Sequence, residues 1–379
     1  MLVLETIFWL SAALVVWTQL GYPAALAALA RLFARAPRST PAPSETPPSL
    51  SLIVAAHDEQ AVIAARVANA LGLDYPRERL ELIVACDGCS DATAAAARAA
   101  GADVVLELPR GGKIRAQDAA VRAARGDIVA FSDANALWEP GAARALVAAF
   151  ADPRVGYVCG QVRFVQAATG ASATNQEGLY WRYEMAVRSY ESRLCSITAG
   201  NGAIYATRRD SYIEVDPIMG HDLSFPFNMV KRGWRAVYVP GARATEKMVP
   251  SIAGELARKR RMMSHTWPIV LRGGMLSPRG YGLMILSHRI LRYVTPALHA
   301  VALVANVLLV LDGAGELYAV TLALQWTLLV AAGLGGVVRV RPLLVARYYV
   351  LTTASLALGF WDWLRHGTDA AWDVAEGTR

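Results

Sequence analysis

The 379-residue sequence predicts an α/β domain carried between membrane-spanning helices. Between residues 50 and 135, apolar runs of strand length alternate with segments of helical spacing. That alternation is typical of parallel strands joined by right-handed helical crossovers. Apolar segments long enough to cross a bilayer lie at both ends of the chain. The chain is 55% hydrophobic with a mean hydropathy of +0.31, and the excess over an ordinary soluble protein lies in these end segments.

The first segment, residues 1–35, is predicted to be a membrane anchor. Its apolar run from Phe8 to Phe33 exceeds the roughly 20 residues that a span needs, and no basic region precedes it as in a cleaved signal peptide. Gly21 to Pro23 are expected to kink it. Basic residues follow the run, which places the middle of the chain in the cytoplasm by the positive-inside rule: Arg31, Arg35 and Arg38.

A Pro/Ser-rich stretch, residues 36–49, is expected to be an extended linker to a cytoplasmic domain over residues 50–275. Because the strands of this domain are unbroken apolar runs, they are expected to be buried on both faces. The predicted strands are 50–56, 80–88, 103–108 and 127–135, with helices over 61–73, 91–102 and 113–126. In such sheets a ligand lies beyond the C-terminal ends of the strands.

The C-terminal part is predicted to return to the membrane. Residues 276–292 are expected to form an amphipathic interfacial helix, 293–364 to hold three apolar membrane segments, and 365–379 to form a tail. Arg347 leaves open a re-entrant or interfacial course for the last segment. The predicted location is therefore the cell's inner membrane, with several passes and a cytoplasmic middle domain.

The net charge and the cysteine content argue against some classes of function. The net charge of +7 arises largely from arginines beside the membrane segments, so a nucleic-acid-binding face is not indicated. Cys86 and Cys89 form a C-x-x-C pair, which is read as a redox pair, as half of a zinc site, or as incidental small residues in a turn. The third interpretation is favoured, because disulfides are rare in the cytosol.

Polar residues end the predicted strands, where ligands bind. In "CDGCSD" the strand-tip residue Asp87 is a candidate to accept hydrogen bonds from a sugar or a base, although the stretch is also a plausible helix cap. A glycine pair before Lys113 opens a helix, an arrangement that suits a phosphate. Asp133 ends the fourth strand. Beside a phosphate, its carboxylate suits Mg²⁺ or Mn²⁺, and the alternative is a capped turn.

Four short stretches occur in the order of a known family: "AAHDE", "DGCSD", "GKIRAQD" and "DAN". Together they resemble the family-2 glycosyltransferases, in particular their membrane-anchored, polysaccharide-synthase-like branch. The resemblance covers nearly the whole chain. It implies a GT-A nucleotide-diphospho-sugar transferase domain with a Rossmann-like mixed sheet.

The same resemblance implies roles for individual residues. It assigns the nucleotide-sugar donor to Ala55, His57, Asp58, Glu59, Asp87, Lys113 and Asp133, and the metal to Asp133 and Asn135. Two departures from the family pattern bear on these roles. Asp118 replaces an asparagine, and Asn135 replaces a second aspartate, which leaves one negative charge fewer at the metal.

Two later stretches resemble the acceptor side of the family's site. "ITAGNGAIYATRR" implies a glycine-rich loop in which Gly200, Asn201 and Gly202 lie against the acceptor, with a simple β-turn as the alternative. In "MGHDL", Asp222 is the expected general base. His221 stands where the family has glutamate. It is expected on the acceptor side, where it covers a helix end or raises local positive charge.

A basic stretch, residues 255–267, resembles a degenerate form of the family's last motif. Arg258 and Arg261 are the candidates to bind the departing diphosphate, since arginine forks suit phosphates, and Trp267 is the candidate to contact an acceptor sugar. The alternative is a basic stop at the membrane face, and the two interpretations are compatible.

The resemblance implies an inverting, metal-dependent transfer of a sugar from a UDP- or GDP-sugar to a lipid-linked or polysaccharide acceptor at the membrane. A role in cell-surface polysaccharide synthesis is expected. The sequence indicates no particular protein partner and no nucleic acid. A catalytically inactive relative that senses sugar nucleotides or serves as an assembly subunit is the main alternative. A small transporter is less favoured because polar residues are scarce in the spans.

Overall fold

A computed structural model describes residues 1–33, 47–165, 174–247, 252–276 and 279–368. Residues 36–46 of the predicted linker and 369–379 of the predicted tail lie outside the described residues. Over the described ranges the chain forms an eight-stranded mixed sheet with helices on both faces, together with four long apolar helices. The predicted fold class is thus confirmed.

The sheet has a parallel half and a mixed half. Its strands are β1 (Leu50–Ala56), β2 (Leu80–Asp87), β3 (Val104–Leu108), β4 (Ile128–Asp133), β5 (Leu137–Trp138), β6 (Val155–Val165), β7 (Tyr205–Arg208) and β8 (Arg235–Lys247). They lie in the order β3-β2-β1-β4-β7-β6-β8-β5. Strands β1 to β4 are parallel, β7 is antiparallel to β4 and β6, and β8 is parallel to β6.

Helices before residue 235 pack on the sheet or form the N-terminal anchor. They are α1 (Leu2–Val16), α2 (Tyr22–Phe33), α3 (Ile63–Leu71), α4 (Thr93–Ala99), α5 (Lys113–Ala123), α6 (Ala142–Ala148), α7 (Thr174–Leu194) and α8 (His221–Lys231). Helix α3 shows why they pack as they do. It buries Ile63, Val67 and Ala70, which the helical period places on one face.

The core lies on both faces of the sheet because successive strand residues point to opposite sides. In β1, Leu52 and Val54 enter the core on one face, and Ile53 enters the core on the other. All seven residues of β1 are buried. The register places Ala55 of β1 opposite Asp133, so the ends of β1 and β4 reach the same edge.

Among the described residues, four helical runs are long and apolar enough to cross a membrane: Leu2–Phe33, Gly280–Leu311, Glu316–Leu334 and Arg341–His366. They contain α1 and α2, then α10 (Arg279–Ile285) and α11 (Leu291–Leu311), then α12 (Glu316–Leu334), then α13 (Arg341–His366). The first run shows a π turn at Trp17–Gly21, which overlaps the predicted kink at Gly21, and it stays helical through Pro23. A second π turn, Leu286–Ile290, joins α10 to α11 without a break.

The remaining helix, α9 (Ile252–Arg272), lies against α13. A Cβ atom on Gly359 of α13 would lie 2.6 Å from the Arg260 carbonyl oxygen, so the two helices cross at close range. The Arg260 guanidinium also pairs with Asp362, with Nη2 2.6 Å from Oδ1. The last apolar helix is thereby attached to the final helix of the predicted cytoplasmic domain.

Candidate active site

Two of the sequence motifs are joined at the tips of β1 and β2. The His57 ring hydrogen-bonds through Nδ1 to the Asp87 carbonyl oxygen at 2.7 Å. Asp58 has a left-handed backbone (φ 50°) and accepts a 2.7 Å hydrogen bond from the Ser90 amide. That bond is the main reason why the pKa of Asp58 is lowered. The Glu59 amide donates to Thr93 Oγ1 at 2.8 Å. The strand tips therefore form one rigid rim.

Asp87 holds the loop that precedes α5. Its carboxylate is 1% exposed and accepts hydrogen bonds from the amides of Gly111 at 2.6 Å and Gly112 at 3.0 Å. Arg110 Nη1 lies 3.3 Å away. Gly112 has φ 93°, a conformation that favours glycine and lets its amide face the carboxylate. In this arrangement the loop covers the Asp87 carboxylate.

Lys113 and Asp133 form an ion pair where α5 begins and β4 ends. Their side chains are 23% and 25% exposed. Asn135 follows in the turn and is half-buried. A carboxylate and an amide oxygen two residues apart are donors of the kind that Mg²⁺ and Mn²⁺ prefer, so these residues fit such an ion once Lys113 moves from Asp133.

The glycine-rich loop lies next to this pair. A Cβ atom on Gly202 would lie 3.4 Å from Lys113 Nζ. The Gly200 amide donates to the Asp222 carbonyl oxygen at 2.6 Å. Asn201 uses both ends of its amide within the protein: Nδ2 donates to the Gly160 carbonyl oxygen at 2.6 Å, and Oδ1 accepts from the Ile204 amide at 3.1 Å. Asn201 therefore shapes the loop.

His221 and Asp222 begin α8, which follows Gly220. His221 is 3% exposed, stacks on Phe225 with ring centroids 4.0 Å apart, and hydrogen-bonds through Nδ1 to the Tyr205 hydroxyl at 2.7 Å. Burial, together with the charge of Lys113, lowers the pKa of His221 to about 3. It is therefore neutral and does not raise the local positive charge, which corrects one role expected for it. The side chain of Asp222 is half-buried.

Lys113, Asp133 and the backbone of Asp222 thus meet at the glycine-rich loop. Residues 47–264 match the model of the glycosyltransferase-like family 2. The chain belongs to this family. The match spans the sheet and the motifs by which the sequence resembles family 2, and the predicted family is confirmed.

Two known proteins show how far the likeness extends. The chain is 29% identical over 221 residues to the beta-monoglucosyldiacylglycerol synthase of Synechocystis sp., covering 52% of this chain but only 42% of that protein. The mannosyltransferase PcManGT from Pyrobaculum calidifontis, solved with GDP-Man and Mn²⁺, has 23% identity and a TM-score of 0.71. This match covers 95% of the chain and 99% of PcManGT, so the shared fold includes the helical ends.

The third predicted set of family-2 residues lies on α9. Trp267 is 8% exposed, and its ring lies 4.5 Å from that of Phe360 on α13 and 6.3 Å from that of Tyr293 on α11. Arg258 contacts Met262 one turn along the same helix, and Arg261 is exposed. Trp267 therefore connects three helices at the membrane side of the domain. Its contact with an acceptor stays a prediction.

The C-x-x-C pair contains free thiols. Burial raises the pKa of Cys86 to about 12, so its thiol is protonated and a poor redox nucleophile.

Cys89, His57 and Asp58 each offer one atom of a kind that binds metal ions, and these atoms lie within 4.8 Å of one another. The Cys89 thiol donates to the Ala56 carbonyl oxygen at 3.5 Å, and the Asp58 carboxylate binds Ser90. These contacts explain the cluster as part of the rim.

Sequence reasoning missed a buried ionic cluster behind the glycine-rich loop. Glu191 of α7 is fully buried and accepts hydrogen bonds from the Thr198 amide at 3.0 Å and the Tyr22 hydroxyl at 2.8 Å. His288 Nδ1 lies 2.7 Å from the same carboxylate. The cluster joins the catalytic domain to the first two membrane runs. Its sequence signal was "SHRILRY", which places three basic residues at the start of an apolar helix.

Proposed function

We propose that this family-2 protein is an inverting, metal-dependent glycosyltransferase that moves a sugar from a UDP- or GDP-sugar to a lipid-linked or glycan acceptor. One observation carries the proposal. The donor residues Lys113 and Asp133 lie against the same glycine-rich loop whose Gly200 amide holds the backbone of Asp222. This arrangement supports a site in which a charge-stabilised leaving group and a general base act side by side.

The donor's diphosphate is assigned to the edge formed by β4 and α5. Asp133 and Asn135 would hold Mg²⁺ or Mn²⁺, which supplies positive charge to the departing diphosphate. Lys113, released from Asp133, adds a second positive charge. PcManGT contains GDP-Man and Mn²⁺ on the same fold, which supports a donor of this kind. Asp87 and the rim residues His57, Asp58 and Glu59 are assigned to the nucleoside.

Asp222 is the proposed general base. It accepts the proton from the acceptor hydroxyl as that oxygen attacks the anomeric carbon on the face opposite the diphosphate. A base placed in this way typically contributes 10²–10⁴-fold to the rate. Attack from the opposite face inverts the anomeric centre in one step and needs no covalent enzyme intermediate. Arg258 and Arg261 are proposed to help the diphosphate leave.

The membrane helices indicate where the acceptor comes from. In the part of the chain that the structure describes, one apolar run precedes the catalytic domain and three follow it. Helix α2 contacts α7 through the hydrogen bond from Tyr22 to Glu191. The site is thus attached to the membrane helices themselves. We place the catalytic domain at the cytoplasmic face of the inner membrane, with a lipid-linked or polysaccharide acceptor for the cell surface.

An inactive relative is the second candidate, and one observation favours it. Asp118, which replaces the family asparagine, is used internally: it accepts a 2.6 Å hydrogen bond from the Tyr212 hydroxyl. Asn135 likewise removes a negative charge from the metal position. A protein that binds sugar nucleotides without transferring the sugar would have these features.

Release of nucleoside diphosphate by the detergent-purified full chain tests the proposal. UDP- and GDP-sugars are offered with Mn²⁺ or Mg²⁺ and membrane lipid extract, using the native chain, Asp222→Asn, and Asp216→Asn as a control. Metal-dependent release from one donor, lost only in Asp222→Asn, is expected. Nucleotide binding without release from any donor favours the inactive relative.

A further inference from the structure

Helix α13 has only a short stretch without charge. Between Arg347 and Asp362, positions 348–361 contain no Asp, Glu, Lys or Arg, which is 14 residues or about 21 Å of helix. The hydrocarbon core of a bilayer is about 30 Å thick, and an apolar stretch of about 10–14 residues is more typical of an interfacial or re-entrant segment than of a span. The corresponding stretches at α11 and α12 contain 19 residues (293–311) and 22 residues (317–338). Helix α13 therefore differs from the two helices before it.

Helix α13 begins on the side of the membrane helices where α11 begins. Helix α12 starts at residue 316, shortly after α11 ends at residue 311, so the two helices are antiparallel. Their register is fixed by a polar contact, because the Asn306 side chain lies 3.0 Å from Thr321 Oγ1 and 3.0 Å from Gln325 Oε1. A Cβ atom on Gly335, just after α12, would lie 2.4 Å from the Leu343 carbonyl oxygen. The first turn of α13 is thus beside the end of α12.

The C-terminal end of α13 lies on this same side. The ring of Phe360 lies 4.5 Å from that of Trp267 on α9. The Trp267 ring in turn lies 6.3 Å from that of Tyr293, which is in the first turn of α11. Thr368, just beyond α13, donates through Oγ1 to the Ser264 carbonyl oxygen of α9 at 2.8 Å. Both ends of α13 are therefore on the side that carries the catalytic domain.

Helix α9 is too highly charged to follow α13 into the hydrocarbon. It carries four consecutive basic residues, Arg258–Arg261, and charged side chains are costly inside a bilayer. Asp362 binds Arg260, with Oδ1 2.6 Å from Nη2, and the Tyr348 hydroxyl accepts from Lys259 Nζ at 2.5 Å. Asp362 and Tyr348 are 14 positions or about 21 Å apart along α13. A helix that crosses the bilayer would bring only one of them to the level of α9, so α13 lies along α9.

The middle of α13 dips towards the bilayer without passing through it. The Tyr349 hydroxyl lies 2.7 Å from Nε2 of His299 on α11. His299 is eight positions beyond Leu291, the first residue of α11, which corresponds to about 12 Å of helix. Half of the hydrocarbon core is about 15 Å. At this contact α13 is therefore still in one leaflet, and it is tilted rather than flat.

The face of α13 turned away from α9 is apolar. Leu358, Trp361 and Leu364 recur at helical spacing and are 45%, 50% and 55% exposed, whereas Gly359 faces α9. We call these three side chains the apolar stripe. The Arg365 guanidinium lies over the Trp361 ring, 4.4 Å from its centroid. A tryptophan and an arginine at the edge of an apolar surface are typical of an anchor at the membrane interface.

We propose that α13 lies in the headgroup layer and does not cross the membrane, with its apolar stripe turned to the acyl chains. The partner of this surface is the lipid bilayer. Of the four apolar runs in the described residues, three then cross the membrane, and α13 keeps the chain on the side of the catalytic domain. The inference goes beyond the proposed function. It means that the pair of Arg260 with Asp362 holds α9, and its candidate diphosphate-binding arginines, against a helix anchored in the lipid surface.

Labelling of single cysteines from each side of the membrane tests the inference. Cys195 of the native chain is exposed and marks the side of the catalytic domain. His366→Cys at the end of α13 and Asp312→Cys between α11 and α12 are each made in a full chain whose Cys89 and Cys195 are replaced by serine. A membrane-impermeant maleimide is applied to sealed vesicles of either orientation. We expect His366→Cys to react from the same side as Cys195, and Asp312→Cys from the opposite side. Reaction of His366→Cys from the Asp312 side overturns the inference and leaves the proposed function intact.

The depth of a spin label gives a second, independent test. Ala354 is exposed at the middle of α13, and Val301 is 45% exposed at the middle of α11. A nitroxide is attached to Ala354→Cys or Val301→Cys in the same serine background, and its depth is measured in lipid vesicles from collisions with oxygen and with a water-soluble nickel complex. We expect about 5–10 Å below the headgroups at residue 354 and about 15 Å, the bilayer centre, at residue 301. Equal depths at the two positions mean that α13 spans the bilayer, which overturns the inference.

Discussion

The Lys113 ammonium and the Asp133 carboxylate are paired across the gap between α5 and β4. Our proposal gives the lysine to the diphosphate and the carboxylate to the metal. When the donor is absent, the Lys113 ammonium occupies the position that the metal would take beside Asp133, and the Asp133 carboxylate occupies the position that the diphosphate would take beside Lys113. Binding of the donor and the metal exchanges one half-buried ion pair for two charge contacts. Lys113 is therefore expected to oppose binding of the metal alone and to favour binding of the metal together with the nucleotide.

Lys113→Gln tests this exchange. Without the lysine, Mn²⁺ is expected to bind Asp133 about tenfold more tightly in the absence of nucleotide, because no cation competes for the carboxylate. Affinity for the nucleoside diphosphate with Mn²⁺ is expected to fall. Titration calorimetry measures both, and Arg122→Gln, which breaks an exposed pair with Glu214, is the control. A fall in Mn²⁺ affinity in Lys113→Gln would contradict the competition.

Gly200→Ala is expected to distort the loop that holds Asp222. The added methyl group would lie 2.0 Å from the buried Tyr157 hydroxyl, an overlap that costs about 1–3 kcal/mol in a packed core. The melting temperature should fall, and the double variant with Tyr157→Phe should recover part of it. Gly241→Ala, where nothing lies within 4 Å, is the control. An unchanged melting temperature in Gly200→Ala would show that the loop yields easily.

The parallel half of the sheet was predictable because its signals are local. Strands β1, β2 and β4 span seven, eight and six residues, are mostly apolar, and end at or just before the polar residues that the turns need. The C-terminal ends of parallel strands lie at the same edge of a sheet. The order of the strands in the chain was therefore enough to predict that His57, Asp87 and Asp133 lie at one edge.

Contacts between distant parts of the chain were not predictable in this way. The ion pair of Lys113 with Asp133 depends on where the start of α5 lies relative to the end of β4, which local sequence patterns do not determine. Asn201 was expected to meet an acceptor, but its amide binds the backbone of Gly160, 41 residues earlier in the chain. Glu191 and His288 are 97 residues apart, and neither lies in a motif.

The acid sensitivity of the protein should depend on His221. Burial lowers its pKa from 6.5 to about 3, so between these values the unfolded chain binds a proton that the folded chain does not. Its contribution to stability is therefore complete above pH 6.5 and is lost as the pH falls towards 3, about 2 kcal/mol being lost near pH 5. His221→Gln should show a smaller fall in melting temperature between neutral pH and about pH 5. His265→Gln on α9 is the control, and an equal fall in native protein and His221→Gln would assign the effect to other groups.

Glu191→Gln is expected to weaken the attachment of the catalytic domain to its membrane helices. Burial alone would raise the pKa of Glu191, but His288, Arg289 and the Thr198 amide hold it below its usual value, so the carboxylate is charged. Removing one partner of a buried ionic cluster typically costs about 3–5 kcal/mol, since the remaining charge is left uncompensated. Thermal unfolding in detergent should show a melting temperature lower by roughly 5–15 °C. Glu107→Gln, which breaks an exposed pair with Arg98, should shift it far less, because exposed pairs contribute little. Equal shifts in the two variants would mean that the Glu191 cluster is no more stabilising than a surface ion pair.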